Sequence, residues 1–451
     1  MNRVRGKSRR AADAPAAVGQ RIELPLERLT HDGRGIGRWQ GRTVFVEGAL
    51  PGEQVVARVV RARSKLIEAR LEQLRVASPQ RQQPACPHVE LCGGCSLQHI
   101  PQATQLELKQ QALAQQLEHF AGLQPERWMP PLTGPEYGYR QRARVSLRWD
   151  AKAGHLQVGF RQRASNALVE VTRCPVLLPR LERLLQELPG ELRQLQGRAS
   201  LGHVELVGGV QPGMIVRHMR PLDEADIQRL RALAQRHEMV CHLQSDSDTP
   251  LQSLTDDRAQ PAYRLAEQQL ELQFAAGDFT QVNPGINQQM VNQALEWLAV
   301  QPGEQVLDLF CGVGNFTLPL AQTGAIVTGI EGSQKMVERA AGNARLNHLQ
   351  QAHFFQADLS NCQQAAWLST EYQAALLDPP RDGAAHITAM LAQKRVQRIL
   401  YVSCNPATLA RDAGILSAAG YRLAQVGIMD MFPQTAHVEA MALFVSGKDK
   451  K

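Results

Sequence analysis

No apolar run in this chain approaches the ~20 residues that span a bilayer, so the sequence predicts no membrane segment. The N-terminal stretch Met1-Asn2-Arg3-Val4-Arg5-Gly6-Lys7-Ser8-Arg9-Arg10 lacks the apolar core of a signal peptide, which points to the cytoplasm. Fixed-period repeats and long low-complexity tracts are missing too, which argues against a solenoid or a largely disordered chain. Cysteine is sparse for a disulfide scaffold. The 8 cysteines of 451 residues are unequally spaced, and in a cytosolic chain they are not expected to pair.

What is present is an ordinary globular composition, 43% hydrophobic and 21% charged, long enough for about two or three domains. The net charge of +7 and the pI of about 9.1 suit a polyanionic partner, because neutralised phosphates release counterions. Many cytoplasmic proteins are as basic, so charge alone leaves nucleic acid an open question.

Residues 1–20 are Arg/Lys- and Ala-rich without periodicity and read as a basic disordered tail. Over 21–79 short β-runs such as Arg42–Val46 and Gln54–Val60, broken by the turn Gly48-Ala49-Leu50-Pro51-Gly52, predict a small barrel. After the joint Ser78–Pro84, residues 80–275 read as an α+β domain. It holds an amphipathic helix over Gln102–Phe120, strands over Arg144–Trp149 and Leu156–Arg161, and helices over Leu178–Glu191 and Glu224–His237. From 276 to 451 apolar strands alternate with helices: Gln305–Leu309, Ile326–Ile330, His353–Gln356, Ala374–Leu377 and Arg398–Ser403. That alternation predicts a doubly wound parallel sheet of Rossmann-like α/β type.

Gly312 and Gly314 follow the first of these strands and open a helix expected over Asn315–Thr323. The turn lacks the third glycine of the dinucleotide fingerprint; Thr317 stands there, which disfavours a pyrophosphate cradle. Acids end the next strands in order. Glu331 suits ribose hydroxyls, Asp358 an adenine edge, and Asp378 closes the fourth strand in Asp378-Pro379-Pro380-Arg381. The series suits S-adenosylmethionine, with its ribose, amino group and cationic sulfur. Cys404, in Ser403-Cys404-Asn405-Pro406, ends the fifth strand and so faces the same cleft; a buried small hydrophobe is the bland alternative. A thiolate beside a methyl donor suits pyrimidine chemistry. Addition at uracil C6 makes C5 nucleophilic, and a base must then remove the C5 proton. Glu439 is the candidate base, with His437 the less favoured neighbour. Cys241, Cys311 and Cys362 read as packing residues.

Cys86, Cys92 and Cys95, with Cys174 far along the chain, supply four thiolates. No second C-x2-4-C pair accompanies them. Spacing therefore favours an iron–sulfur cluster over zinc, without excluding zinc or the absence of a metal.

Together, Asp278-Phe279-Thr280-Gln281-Val282-Asn283, the Leu309–Phe316 turn, Asp378-Pro379-Pro380-Arg381, Ser403–Pro406, His437-Val438-Glu439 and the cysteine group resemble the bacterial RNA uracil-5-methyltransferase family. Within it the chain is similar to the branch that methylates 23S ribosomal RNA at the uridine numbered 1939. The resemblance implies Cys404 as nucleophile and Glu439 as base. It implies Gln281, Phe310, Asn315, Glu331, Asp358 and Asp378 as contacts of S-adenosylmethionine, and Cys86, Cys92, Cys95 and Cys174 as ligands of a [4Fe-4S] cluster. It also implies a TRAM barrel of OB type that binds RNA over 21–79, a central iron–sulfur domain over 80–275 and a methyltransferase domain over 276–451. The helix at 102–120 packs on that last domain in relatives. The expected partner is 23S ribosomal RNA, with no membrane, and a monomer is the default. Arg140, Arg142, Arg144, Arg161 and Arg163 are candidate phosphate contacts. The alternatives are methylation of another ribosomal site or of transfer RNA, a redox or radical enzyme that uses the cluster, and a non-catalytic RNA-binding assembly factor.

Overall fold

The structure, a computed structural model, describes residues 17–246, 250–255, 260–360 and 366–447. Most of the expected N-terminal tail and Cys362 lie outside the described residues. The chain forms two compact units. One holds the residues up to Pro84 with Cys95–Gln111 and Gln434–Ala436; the other holds Ala85–Gly94, Ala112–Pro433 and His437 onward. No helix among the described residues is long and apolar enough to cross a membrane.

The first unit is built on a closed barrel of β1 (Arg21–Leu29), β2 (Gly35–Trp39), β3 (Arg42–Glu47), β4 (Gln54–Ala62) and β5 (Leu66–Val76), in the order β1-β2-β3-β5-β4. Alternation along β1 turns Ile22, Leu24 and Leu26 inward, where they meet Val44, Val46, Val55, Val59 and Ile67. Closure brings β2 against β1 so tightly that a Cβ on Gly37 would stand 2.3 Å from the Pro25 carbonyl oxygen. One end of the barrel is stoppered from within the unit. Leu97, Ile100 and Leu108 cluster with Leu29 and Leu50, and a Cβ on Gly33 would lie 2.2 Å from Leu97 Cδ2. Buried Gln105 holds the stopper. Its amide donates to Leu97 O, Ile100 O and Gln434 Oε1, and its Oε1 accepts from Gln434 N.

In the second unit, the end of α1 (Gln102–Ala121) and the two-residue β6 (Arg127–Trp128) precede a seven-stranded sheet. This sheet comprises β7 (Arg142–Asp150), β8 (His155–Arg161), β9 (Leu168–Glu170), β10 (Leu201–Val207), β11 (Gly213–His218), β12 (Val240–Gln244) and β13 (Gln252–Ser253). Their order is β13-β12-β11-β10-β7-β8-β9. Leu181, Leu184, Leu185, Leu188 and Leu192 recur at helical spacing along α2 (Pro179–Arg193) and bury against Val145, Val158 and Val204 of the sheet. Helix α3 (Glu224–Arg236) starts where Asp223 accepts a hydrogen bond from Asp226 N.

A hairpin, β14 (Ala262–Leu265) and β15 (Leu270–Gln273), and α4 (Pro284–Leu298) lead into an eight-stranded sheet. Its other strands are β16 (Gln305–Leu309), β17 (Ile326–Glu331), β18 (Ala352–Gln356), β19 (Ala374–Leu377), β20 (Arg398–Ser403), β21 (Tyr421–Met429) and β22 (Glu439–Ser446). The order is β18-β17-β16-β19-β20-β22-β21-β6, with β22 inserted antiparallel between β20 and β21. The connecting helices are α5 (Thr317–Gln322), α6 (Gln334–Leu346), α7 (Ala385–Gln393) and α8 (Pro406–Ala418). Leu400 and Val402 of β20 join the core that contains α4, whereas Tyr401 points the other way and donates to Asp412 of α8 at 2.6 Å. Helices thus cover both faces of a largely parallel sheet, as the alternating pattern predicts.

The fully buried Glu53 side chain anchors the barrel to the chain that leaves it. It accepts from Leu50 N at 2.8 Å, Ser78 N at 3.2 Å and Arg81 Nε at 2.6 Å. Burial pushes its carboxyl up, but the Arg81 hydrogen bond, the two amides and the Arg81 charge more than reverse this and leave it lowered. A lowered carboxyl contributes stability that is complete above its unfolded value and lost as pH falls through the folded one. Glu53→Gln should destabilise the barrel by about 3 kcal/mol and remove that acid-dependent loss. Hydrogen exchange of the β3–β5 amides in the full chain, from acid to neutral pH, checks both; identical pH dependence in the two proteins would refute the anchor.

Candidate active site

Strands β17 and β19 flank β16, so the chain order reverses at the β16/β19 boundary and opens a crevice beyond their carboxyl ends. The glycine turn lies there. Phe310, Gly312 and Gly314 take positive φ of 64°, 58° and 99°. For Phe310 that left-handed conformation costs on the order of 1–3 kcal/mol, which the surrounding hydrogen bonds must hold in place. Glu331, ending β17, accepts from Gly312 N at 3.2 Å and Ser333 N at 3.1 Å, and so ties the turn to the start of α6. Asp358 is exposed just past β18, and hydrogen bonds from the Ser360 hydroxyl and amide hold its carboxyl below the usual range.

Asn315 and Asn287 exchange amide hydrogen bonds at 2.9 and 3.0 Å, and Tyr263 donates to Asn315 Oδ1 at 2.9 Å. The Asn315 side chain, beside the glycine turn, is therefore held in a fixed triad. Gln281 lies on a segment fastened to β7. Gln141 donates to the Gln281 carbonyl at 2.9 Å, and Arg142 bonds the Asp278 carbonyl and Thr280 Oγ1. Arg142 also pairs with Glu205 at 3.0 Å, Arg140 donates to the Arg142 carbonyl, and Arg163 bonds the carbonyls of Val89 and Cys92. These three arginines thus have internal work that the sequence does not reveal, while Arg144 and Arg161 are exposed.

One further acid belongs to this region, outside the ordered series of strand-end carboxylates. Asp308, inside β16 and fully buried, accepts from Thr317 Oγ1 at 2.5 Å, and burial together with Asp378 and Glu331 pushes its carboxyl up to about 7. The signal was available: a charged residue within an apolar strand, with a hydroxyl where the third glycine is missing.

Cys404 follows β20, two strand spacings or about 10 Å across the sheet from β16. Ser403 is opposite Ala440, so the next step along the antiparallel ladder puts Cys404 beside Glu439. The thiol is half-buried rather than walled off. Burial pushes it up to about 11, the Glu439 and Asp378 carboxylates reinforce the rise, and Arg381 opposes it. Asp378 is itself pushed up to about 7 by burial. Arg381 Nη2 lies 3.3 Å from His437 Nδ1. The structure thus brings Cys404, Glu439, Asp378 and Arg381 into one electrostatic neighbourhood.

Of the remaining cysteines, Cys241 and Cys311 are buried as packing residues. Cys86, Cys92 and Cys174 belong to the second unit, and Cys95 opens a segment of the first. Among the described residues no three metal-binding side chains are already gathered. Cys86 is pushed up by burial and also feels the charges of Cys92 and of Arg173, the residue before Cys174. The Cys92 loop is docked on the sheet edge: Cys92 bridges Gln162, and Gly93 N donates to Arg161 O at 3.0 Å. A Cβ on Gly93 would come within 3.2 Å of that oxygen. Soft thiolates on a glycine-dependent loop are a donor set that fits an iron–sulfur group.

The family sequence model described as tRNA (Uracil-5-)-methyltransferase matches residues 101–446, and the TRAM domain model matches residues 15–71. The chain is 52% identical over 431 residues to a Pseudomonas putida protein named 23S rRNA (uracil(1939)-C(5))-methyltransferase RlmD, covering 95% of each chain. A Pseudomonas aeruginosa protein of the same name is 50% identical over 431 residues, again covering 95% of each. Among solved structures, the fold is shared with the Pyrococcus abyssi tRNA (uracil-54, C5)-methyltransferase in complex with S-adenosyl-L-homocysteine. That match has a TM-score of 0.71 at 23% identity and covers 94% of this chain and 100% of the other.

In the ligand-free protein, iodoacetamide alkylation of Cys404 should climb about tenfold per pH unit through the neutral range and level off only near 11. Glu439→Gln should move that profile to lower pH. Peptide mass spectrometry follows both, and a profile centred near an ordinary thiol and indifferent to Glu439→Gln would contradict the geometry.

Proposed function

The chain belongs to the RNA uracil-5-methyltransferase family, and from that premise we propose that it methylates C5 of a uridine in 23S ribosomal RNA, at position 1939, through a Cys404 adduct. One observation supports the mechanism: the β20–β22 register puts half-buried Cys404 next to Glu439, at the same ends of the sheet strands as the glycine turn. The names of relatives at about half identity over nearly the whole chain support the RNA and the position.

S-adenosylmethionine, when bound, supplies an electrophilic methyl group. Glu331 is proposed to hold its ribose, Asp358 its adenine edge, and Gln281, Phe310, Asn315 and Asp378 the rest of it. The Cys404 thiolate bonds to uracil C6, and the ring electrons move to C5, which takes the methyl group as its bond to the donor sulfur breaks and that electron pair stays on the sulfur. Glu439 removes the C5 proton, the electrons of that C–H bond restore the C5–C6 double bond, and the C6–sulfur bond breaks. The Cys404 thiol is regenerated on reprotonation. Reaching C5 and C6 requires a base splayed out of its stack. Cys86, Cys92, Cys95 and Cys174 are proposed to hold a [4Fe-4S] cluster, away from these steps. The protein would act in the cytoplasm as a monomer.

Cys404→Ala should lose more than about 10⁴-fold in methylation and form no covalent complex with 5-fluorouridine RNA. Glu439→Gln should accumulate a methylated RNA–protein adduct on ordinary substrate; normal turnover would remove Glu439 from the mechanism. Mass-spectrometric mapping of 5-methyluridine in ribosomal and transfer RNA from a deletion strain tests the target. Loss confined to transfer RNA would overturn the ribosomal reading. Cys174→Ser should lower iron and acid-labile sulfide in the protein as purified without oxygen; unchanged iron would remove Cys174 from the ligand set.

A further inference from the structure

OB-type barrels usually take nucleic acid on the face of strands 2 and 3 and on the loops after strands 1 and 4. The side chains of the loop after β1 are engaged with one another and with β3 here. Thr30 bonds Asp32, Asp32 pairs with Arg34 at 2.9 Å, and Arg34 stacks over Phe45 with its guanidinium carbon 4.9 Å from the ring centroid. This loop and the β3–β4 connection also sit at the end that Leu97, Ile100 and Leu108 stopper.

The opposite end is different. Strand β3 runs parallel to β5 with Thr43 opposite Leu66, so the β2–β3 and β4–β5 turns emerge side by side. Thr43 N donates to Lys65 O at 3.2 Å, and Arg63 N to Leu66 O at 2.7 Å, which closes the two turns into one surface. Arg38 pairs with Thr43 across the ladder, and three strand spacings, about 15 Å, carry the surface from Arg38 to Arg63. Arg38, Arg61, Arg63 and Lys65 are all exposed there, and among the described residues none of them is in an ion pair. Several other arginines of the unit are committed, Arg21 and Arg58 to Glu72, Arg70 to Glu47 and Arg81 to Glu53, whereas exposed Arg28 and Arg75, which are in no ion pair among the described residues, sit singly near the far ends of β1 and β5.

We propose that this open pole of the barrel, formed by the β2–β3 and β4–β5 turns, docks the phosphodiester backbone of the RNA substrate through Arg38, Arg61, Arg63 and Lys65. The inference rests on RNA being the substrate, and it adds which end of the barrel meets it and how. Four solvated cations without fixed acceptors suit phosphates and carry no base readout, so the contact positions the RNA without selecting the uridine.

The test compares the full-length wild type with the triple variant Arg61→Gln, Arg63→Gln, Lys65→Gln on a 23S ribosomal RNA fragment. A thermal melt verifies the fold, and Arg21→Gln serves as a paired-arginine control. The triple variant should raise KM about 10- to 100-fold with kcat kept within about twofold. It should also flatten the slope of log affinity against log salt by about 2, the loss of three single-strand phosphate contacts. Arg21→Gln should leave both unchanged. An intact triple variant with wild-type KM and salt slope would overturn the proposed pole, as would an equal effect of Arg21→Gln. Failure of the wild type to methylate the fragment would instead count against the proposed function, and the salt slope of binding alone would still decide the pole.

Discussion

The register of β22 against β20 is the constraint on which the rest of the cleft depends. Ser403 opposite Ala440 puts Cys404 and Glu439 at adjacent places on neighbouring strands. Because side chains alternate between faces, a slip of one residue would turn Glu439 away from the thiol and its neighbours into the other layer. The register is set from outside the cleft. Leu400 and Val402 must reach the α4 core while Tyr401 reaches Asp412, and Ala442, Met441 and Leu443 must bury against them. A pair of reacting groups is thus placed by apolar residues that take no part in the chemistry.

The same buried setting decides the charge of the cleft. Asp308, Asp378 and Glu439 crowd a region of low solvation, and the result is two carboxyls near 7 and a thiol near 11. Each of these groups would gain from a cation in the crevice, since an opposite charge favours the ionised form of an acid and of a thiol alike. A site this acidic makes sense around a positively charged methyl donor, and Arg381 alone would be a weak counterweight. The α8 side supports that arrangement. Asn405 and Thr408 donate to the Arg381 carbonyl, Arg411 to the Asp382 carbonyl, and Asp412 accepts from Ala384 N at 2.7 Å. The loop that carries Arg381 is therefore clamped to the helix that follows Cys404.

Much of this was legible in the sequence, for reasons that differ by element. Gln305–Leu309, Ala374–Leu377 and Arg398–Ser403 have the bounds expected of them, because central parallel strands buried on both faces read as unbroken apolar runs. The helix after the glycine turn is shorter than the expected Asn315–Thr323 and begins at Thr317. Asn315 is held outside it by Asn287 and Tyr263, residues 28 and 52 positions away. Strands β21 and β22 are not among the expected elements, although residues 440–444 of β22 are an unbroken buried apolar run; the alternation of strand and helix that marks the other strands stops after α8, where two strands follow one another. The Cys404–Glu439 adjacency depends on a ladder between strands far apart in the chain, which no local pattern encodes. Nor does any local signal show that Gln434 bonds Gln105, 329 residues earlier.

Arginine shows most clearly where composition stops being informative. A net charge of +7 and a basic first half predict an anionic partner, but they do not say which cations are free to meet it. Arg142 and Arg163 look from the sequence like phosphate ligands, yet one fastens the Asp278–Asn283 segment and the other wraps the cysteine loop. A guanidinium already bonded to two or three fixed acceptors cannot turn to a phosphate without leaving buried oxygens unsatisfied, at a cost of about 1–3 kcal/mol for each. Exposure without a fixed acceptor is therefore the better guide to RNA contact than position in a basic stretch. By that measure the largest group of uncommitted cations among the described residues of the first unit, Arg38, Arg61, Arg63 and Lys65, lies on the hairpin turns at one end of its barrel.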